Sequence, residues 1–218
     1  PVRPAPMNNP RRIVLLPVFN EEAHLPVALA ALYKMSSHFI VVDDGSTDKT
    51  QEILKKWAKG KKHVYLIRHE MNLGKSAALR SGFDKVLDLK EKSILSAEDL
   101  LALTDADGQI PHNIIDSACD YFCKHNLDLL IGSRDFSIYP IHKRWGNRLI
   151  SLVASLLTGF RFRDSLCGFR LLRLKSLEMI LPFYAPKGYA CEQSLSIIAA
   201  LLPLTMDNTF SINIKIFR

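Results

Sequence analysis

Short apolar runs alternate with helical stretches along the first two thirds of the chain, and this alternation limits the fold more than any single motif. The run Arg12-Ile-Val-Leu-Leu-Pro-Val-Phe19 precedes a predicted helix from about Glu22 to Lys34, and Phe39-Ile-Val-Val-Asp43 follows as a second strand. Ser46 or Thr47 is expected to cap a helix running to about Lys59, with Gln51 and Glu52 near its positive end. The strand His63 to Arg68, a helix from Gly74 to about Leu89, the strand Leu100 to Thr104, a helix from Ile114 to His125 and the strand Leu127 to Ile131 continue the pattern. Strands alternating with helices imply parallel βαβ units. Runs such as FIVV and LALT lack alternating polarity, as strands do in a sheet covered by helices on both faces.

In such a sheet, ligands bind beyond the carboxyl ends of the strands. Asn20 and Glu21, Asp43 and Asp44, and the pair Asp105 and Asp107 all fall at strand ends of this kind. Residues two apart on a strand point to one face, so Asp105 and Asp107 can reach one divalent cation. Hard oxygen ligands suit Mg²⁺ or Mn²⁺, and a cation held by one or two carboxylates completes its shell with water and substrate phosphates. Asp-x-Asp alone is more often a solvated strand end; what favours a site is the arrival of several acids at one sheet edge. Asp43-Asp-Gly-Ser-Thr47 is also a good turn in its own right, and both roles can coexist.

At 218 residues and 48% hydrophobic content the chain can build one substantial core, and one domain over residues 11–218 is expected, after a disordered, proline-rich lead-in over 1–10. Helices are expected around Lys143 to Gly159, Ser176 to Pro182 and Tyr189 to Leu202, with strands near Gly168 to Leu174 and Phe210 to Phe217. The net charge of +7 calls for an anionic partner: nucleic acid, a phospholipid surface or a phosphorylated substrate. A nucleic-acid-binding module would explain the charge but not the acidic strand ends, which repel a phosphate backbone, so no nucleic acid is expected. Between His142 and Lys175 the basic residues face a single acid, Asp164. Within that segment the apolar run Leu149 to Gly159 is shorter than the roughly 20 residues that span a bilayer. It can rest on a membrane, or it can be a buried core helix with solvated basic flanks; both fit. The four cysteines show no paired CxxC spacing, and buried, reduced thiols are expected, with packing favoured over zinc for Cys119 and Cys123.

Taken in order, Pro17-Val-Phe-Asn-Glu21, Val41-Val-Asp-Asp-Gly-Ser-Thr-Asp48, Asn72-Leu-Gly-Lys75, Thr104-Asp-Ala-Asp-Gly-Gln109 and Gly132-Ser-Arg134 resemble the family 2 glycosyltransferases, which have a GT-A fold. With Asp164-Ser-Leu-Cys-Gly-Phe-Arg170 added, the chain is most similar to their polyprenyl-phosphate branch, typified by dolichyl-phosphate mannose synthase. The resemblance implies an α/β GT-A sheet with a nucleotide-sugar half over 11–134 and a helical, basic acceptor half over 135–218.

It also implies roles for particular residues. Pro17, Phe19, Glu21, Val42 and Asp44 would surround base and ribose, while Lys75, Asp105, Ala106 and Asp107 would lie along the diphosphate. Gly74-Lys75 is not a P-loop, since GxxxxGK[ST] is absent. Asp105, Asp107 and Gln109 would hold Mg²⁺ or Mn²⁺, making the enzyme metal-dependent. Arg134, Arg148 and the terminal Arg218 would engage phosphates of the acceptor or donor. Asp107, Arg134 and Asp164 are the expected catalytic residues; Asp164 would orient sugar or an arginine, the plain alternative being an ion pair with Arg170 or Arg173. Glu192 would pair with an arginine near the site. The reaction implied is inverting hexose transfer from a nucleotide sugar (GDP-mannose or UDP-glucose type) to a polyprenyl phosphate. A saccharide or protein hydroxyl is the alternative acceptor. The implied location is the cytoplasmic side of the ER or bacterial inner membrane, reached peripherally or through a segment outside this chain.

Overall fold

The computed structural model describes residues 10–111, 114–136, 139–185 and 190–212. Most of the lead-in, the Lys187 to Tyr189 stretch, most of the last predicted strand and Arg218 lie outside the described residues.

The elements run β1 (Arg12–Val18), α1 (Leu25–Tyr33), β2 (His38–Asp43), α2 (Thr50–Ala58), β3 (Val64–Arg68), α3 (Lys75–Glu91), β4 (Leu100–Leu103), α4 (Ile114–Lys124) and β5 (Leu129–Ile131). They continue with β6 (Ser133–Arg134), α5 (Ile141–Thr158), β7 (Arg170–Arg173), α6 (Leu174–Ile180), a 3₁₀ turn over Leu181–Phe183, α7 (Cys191–Ala200), β8 (Met206–Asp207) and β9 (Ser211–Ile212). A seven-stranded sheet has the order β3-β2-β1-β4-β7-β5-β8, and β6 pairs with β9 in a separate two-stranded sheet. The first four strands are parallel, and β7 runs antiparallel to both neighbours, β4 and β5. This is the mostly parallel, helix-flanked sheet of a GT-A fold.

Strand geometry sorts the apolar residues into two layers. In β1, Ile13 and Leu15 face one core with α3, α6 and α7, while Val14, Leu16 and Val18 face the other with α1 and α4. Gly82 lets α3 come close to the sheet, because a Cβ there would lie 2.3 Å from Leu15 Cδ1.

Local chemistry shifted two expected helix starts. α1 begins at Leu25 because the Glu21 carbonyl accepts from the N–H groups of His24 and Leu25 in a preceding turn. α2 begins at Thr50, and neither Ser46 nor Thr47 caps it. The Ser46 hydroxyl instead accepts from Asn20 N–H at 3.0 Å, Thr50 Oγ1 accepts from Glu21 N–H at 2.9 Å, and Asn20 Oδ1 accepts from Thr47 N–H at 2.8 Å. These bonds clamp the β1–α1 loop to the β2–α2 loop. Cys119 is buried, its thiol pushed up to about 12 by burial, whereas Cys123 is exposed on the solvent side of α4 and does not pack as expected.

Candidate functional site

The chain order β1, β2, β3 steps one way from β1, and β4 returns to its other side, so the strand order reverses between the parallel neighbours β1 and β4. Crevices form at such a switch point. A cleft of about 460 Å³ lies there, floored by Pro17 and Val18 of β1 and walled by Phe19, Glu21, Asp44 and the start of α3 at Gly74 and Lys75. Asp105, Ala106 and Asp107 close it beyond β4. Most of the expected donor-site residues therefore meet in one place. Val42 does not: it is fully buried in the core with Ile40 and Leu15, because β2 is an inner strand covered on both faces. Asn72 and Ala78 line the cleft without having been anticipated.

Asp44 has a structural task as well. Its carboxylate accepts from the main-chain N–H groups of Leu73 (3.0 Å) and Gly74 (2.8 Å) and from His69 Nδ1 (2.6 Å), whose Nε2 meets Ser81 Oγ at 2.9 Å. This holds the loop that delivers Lys75 to the cleft. Asp43 points away into turn chemistry, accepting from Ser46 N–H at 3.0 Å, with Arg68 Nε at 3.7 Å.

Lys75 stands between two carboxylates. Its ammonium lies 2.5 Å from Asp105 Oδ1 and also pairs with Glu192 in the first turn of α7. Burial disfavours the Lys75 charge, but Asp105 and Glu192 outweigh it and hold the amine above the ordinary lysine range. Burial also works against the Glu192 carboxylate, and Lys75, with Arg170 behind it, holds it below its usual value. The expected arginine partner of Glu192 is thus a lysine. Asp107 is pushed up, first by burial, with Asp105 adding and the Gln109 N–H bond to Asp107 Oδ1 (2.9 Å) opposing. Gln109 itself is exposed and lies outside the cleft wall.

Among the described residues there is no group of three or more His, Cys, Asp or Glu able to hold a metal ion by itself. The donor set nevertheless suits Mg²⁺ or Mn²⁺: two hard carboxylates share one cleft, and one of them, Asp107, is desolvated in a way that a cation would relieve. Substrate oxygens and water would supply the remaining positions.

Arg134 and Asp164, both expected as catalytic residues, are bound to each other, so the arginine beside Asp164 is Arg134. Asp164, fully buried, accepts from Arg134 Nε (2.7 Å), Arg134 Nη2 (2.9 Å), the Arg134 main chain (3.2 Å), Asn147 Nδ2 (3.2 Å) and the Leu166 N–H (3.3 Å). The alternative pair with Arg170 or Arg173 does not form. Arg170, also fully buried, bonds Ser196 Oγ at 3.0 Å, the Ser165 carbonyl at 2.9 Å and the Cys167 carbonyl. Arg173 pairs with Glu98. Replacing Arg170 by Met should cost about 3 kcal/mol in denaturant unfolding, because it strands buried acceptors. Arg148 is exposed on α5, its guanidinium 6.0 Å from the Trp145 ring, and does not line the cleft.

Gly168 carries a constraint that the motif Asp164 to Arg170 concealed. A Cβ there would fall 2.2 Å from Asp105 Oδ2.

The sequence model of "Glycosyl transferase family 2" matches residues 13–181. The chain belongs to glycosyltransferase family 2. A UDP-N-acetylglucosamine–dolichyl-phosphate N-acetylglucosaminyltransferase of Methanococcus voltae is 27% identical over 203 residues, covering 84% of this chain and 78% of that protein. An undecaprenyl-phosphate 4-deoxy-4-formamido-L-arabinose transferase of Pseudomonas paraeruginosa is 32% identical over 176 residues, covering 77% of this chain and 48% of that enzyme. These relatives represent the polyprenyl-phosphate branch that the motifs resemble. A mannosyltransferase of Pyrobaculum calidifontis, solved with GDP-mannose and Mn²⁺, superposes with a TM-score of 0.63 at 17% identity, covering 97% of this chain and 59% of that one, and shares the fold. In this glycosyltransferase, Gly168→Ala is expected to leave the melting temperature nearly unchanged. By re-aiming Asp105 it should lower turnover on the order of a hundredfold, as steady-state kinetics would show.

Proposed function

We propose that this glycosyltransferase moves a hexose, with inversion, from a nucleotide sugar of the GDP-mannose or UDP-glucose type to a polyprenyl phosphate at a membrane surface. Residues 11–218 would act as one domain, 11–134 for the donor and 135–218 for the acceptor. The observation that carries the reading is a physical link between an acidic switch-point cleft and a helix with an exposed apolar face. Asn147 on the buried side of α5 bonds Asp164, Asp164 pairs with Arg134, and the same loop places Gly168 against Asp105.

On the donor side, Phe19, 40% exposed at the cleft lip, offers a ring face to a base. Glu21 and Asp44 accept from base or ribose donors. Lys75 neutralises diphosphate charge. A Mg²⁺ or Mn²⁺ ion held by Asp105 and Asp107 would stabilise the departing nucleoside diphosphate as a Lewis acid.

On the acceptor side, the occupancy of Asp164 supports a phosphate acceptor. A saccharide or protein hydroxyl needs a general base. The buried Asp164 oxygens already accept from Arg134, Asn147 and Leu166, so they are engaged within the protein instead of open to an acceptor hydroxyl. A polyprenyl phosphate brings an oxygen that is already ionised, so positioning and charge suffice. Asp164 then serves to aim Arg134, and Arg148 on α5 adds a second phosphate-seeking guanidinium.

No helix among the described residues is long and apolar enough to cross a membrane. α5 supports peripheral contact, as its exposed side carries Ile141, Trp145, Leu149, Leu152 and Leu156 beside Lys143, Arg144 and Arg148. Localisation to the cytoplasmic face of the ER or bacterial inner membrane accords with the lipid-phosphate substrates in the relatives' names.

Titrating GDP and UDP calorimetrically, with and without Mg²⁺, tests the donor side. Cation-dependent binding of one of them is expected; heat from neither would remove the proposal.

A further inference from the structure

Lys75 lies on the cleft wall, yet its second partner, Glu192, belongs to α7, which packs against α3 and is not part of that wall. Glu192 is nearly buried, 9% exposed, and also accepts from Cys191 Sγ at 2.7 Å. This buried carboxylate, one element away from the cleft, has the buried Arg170 guanidinium on one side and is aimed on the other at a cation inside the cleft. Its effect is to divide one ammonium between two acids.

We propose that Glu192 is a positioning residue that sets the divalent-cation affinity of the donor cleft by giving Lys75 a partner other than Asp105. The inference rests on reading Asp105 and Asp107 as the cation-binding carboxylates. Without a cation, the ammonium covers Asp105 at 2.5 Å and limits repulsion between the two aspartates. A divalent ion arriving at Asp105 must compete with that ammonium. Glu192 makes the competition winnable, because Lys75 keeps a full countercharge when it gives up Asp105. Remove the Glu192 charge and Lys75 has only Asp105 to hold, so the cation binds more weakly. The same device returns the ammonium to Asp105 when the ion leaves. Arg170, the other cation near Glu192, is fixed by Ser196 and by the Ser165 and Cys167 carbonyls and does not compete for this role.

The test is Mn²⁺ binding by the full chain, read from the electron paramagnetic resonance signal of free Mn²⁺ in the presence of GDP or UDP, with melting temperatures recorded in parallel. Glu192→Gln should weaken Mn²⁺ binding on the order of tenfold, a coupling of ordinary size. In a Lys75→Met background the same substitution should change Mn²⁺ binding little, since Glu192 acts through Lys75. An equal loss in both backgrounds would mean that Glu192 acts by its field alone and would overturn the proposal, as would no loss in the native background. Should Glu192→Gln fail to fold, Lys75→Met with Mn²⁺ alone decides. Tighter binding than the native chain supports the competition, and equal or weaker binding overturns it. Absence of Mn²⁺ binding by the native chain with either nucleotide would remove the donor-site reading together with this one. Bound Mn²⁺ that ignores Glu192 removes this inference alone.

Discussion

Asp107→Asn is expected to lower sugar transfer on the order of a thousandfold while shifting the melting temperature by no more than a few degrees. The two aspartates differ in what else they hold. Asp105 pairs with Lys75 and sits against Gly168, so replacing it disturbs the cleft wall as well as any bound ion. Asp107 accepts the Gln109 N–H, a bond that the amide oxygen of asparagine can keep. What the substitution removes is the charge, and with it one of the two hard ligands proposed for the cation. Lewis-acid stabilisation of a departing diphosphate contributes several kcal/mol, and each 1.4 kcal/mol or so is tenfold in rate. Steady-state rates with saturating Mg²⁺, set beside thermal melts, check both halves of the expectation. Near-normal turnover would refute a metal role for Asp107.

The second large effect belongs to α5, an 18-residue helix that is built inside out. Its buried residues are Asn147, Ser151 and Ala154, and the polar ones bond the following loop: Asn147 to Asp164, and Ser151 Oγ to the Ser165 N–H at 3.1 Å. Gly159, in the left-handed region at φ 74°, ends the helix by returning its N–H to the Ser155 carbonyl. The opposite side leaves Leu149 63%, Leu156 76% and Leu157 71% exposed. Replacing these three leucines by serine should therefore leave unfolding free energy within about 1 kcal/mol. It should also cut partitioning onto anionic phospholipid vesicles by a hundredfold or more, since each leucine transferred out of water contributes about 1.5 kcal/mol or more. Co-sedimentation with vesicles of mixed neutral and acidic lipids reads this directly. A triple variant that still binds the vesicles, or a native chain that does not, would assign the exposed face to something other than a membrane.

The amino-terminal part of the sheet and its cleft were legible in the sequence because their signals are local. An apolar run with an acid at its end marks both a strand and the edge where a ligand sits, and β1, β2 and β4 place Glu21, Asp44, Asp105 and Asp107 around one cleft on that basis. Reading Val42 as a cleft residue overlooked that β2 is covered on both faces, which puts the Val42 side chain in the core. The carboxyl-terminal part was less legible because its determinants are long-range. Arg170-Leu-Leu-Arg173 is an apolar strand in either direction, and nothing local announces that it inserts antiparallel between β4 and β5. The two-residue strands β6 and β8 are too short to leave a periodic signal. Partner choice was equally hidden. Arg134 lies 30 residues from Asp164 in sequence, and only the fold decides that this pair forms rather than one with Arg170 or Arg173. The apolar stretch of α5 fitted a buried or a surface helix equally well until the residues it buries were known.

Transfer itself is the most direct measurement. The protein is mixed with Mg²⁺, radiolabelled GDP-mannose or UDP-glucose, and either undecaprenyl or dolichyl phosphate or an oligosaccharide, and the organic phase is counted. A labelled, lipid-linked hexose from one donor, with the oligosaccharide left unglycosylated, is the expected result. No lipid-linked product from any donor, or label entering the oligosaccharide in its place, would contradict it.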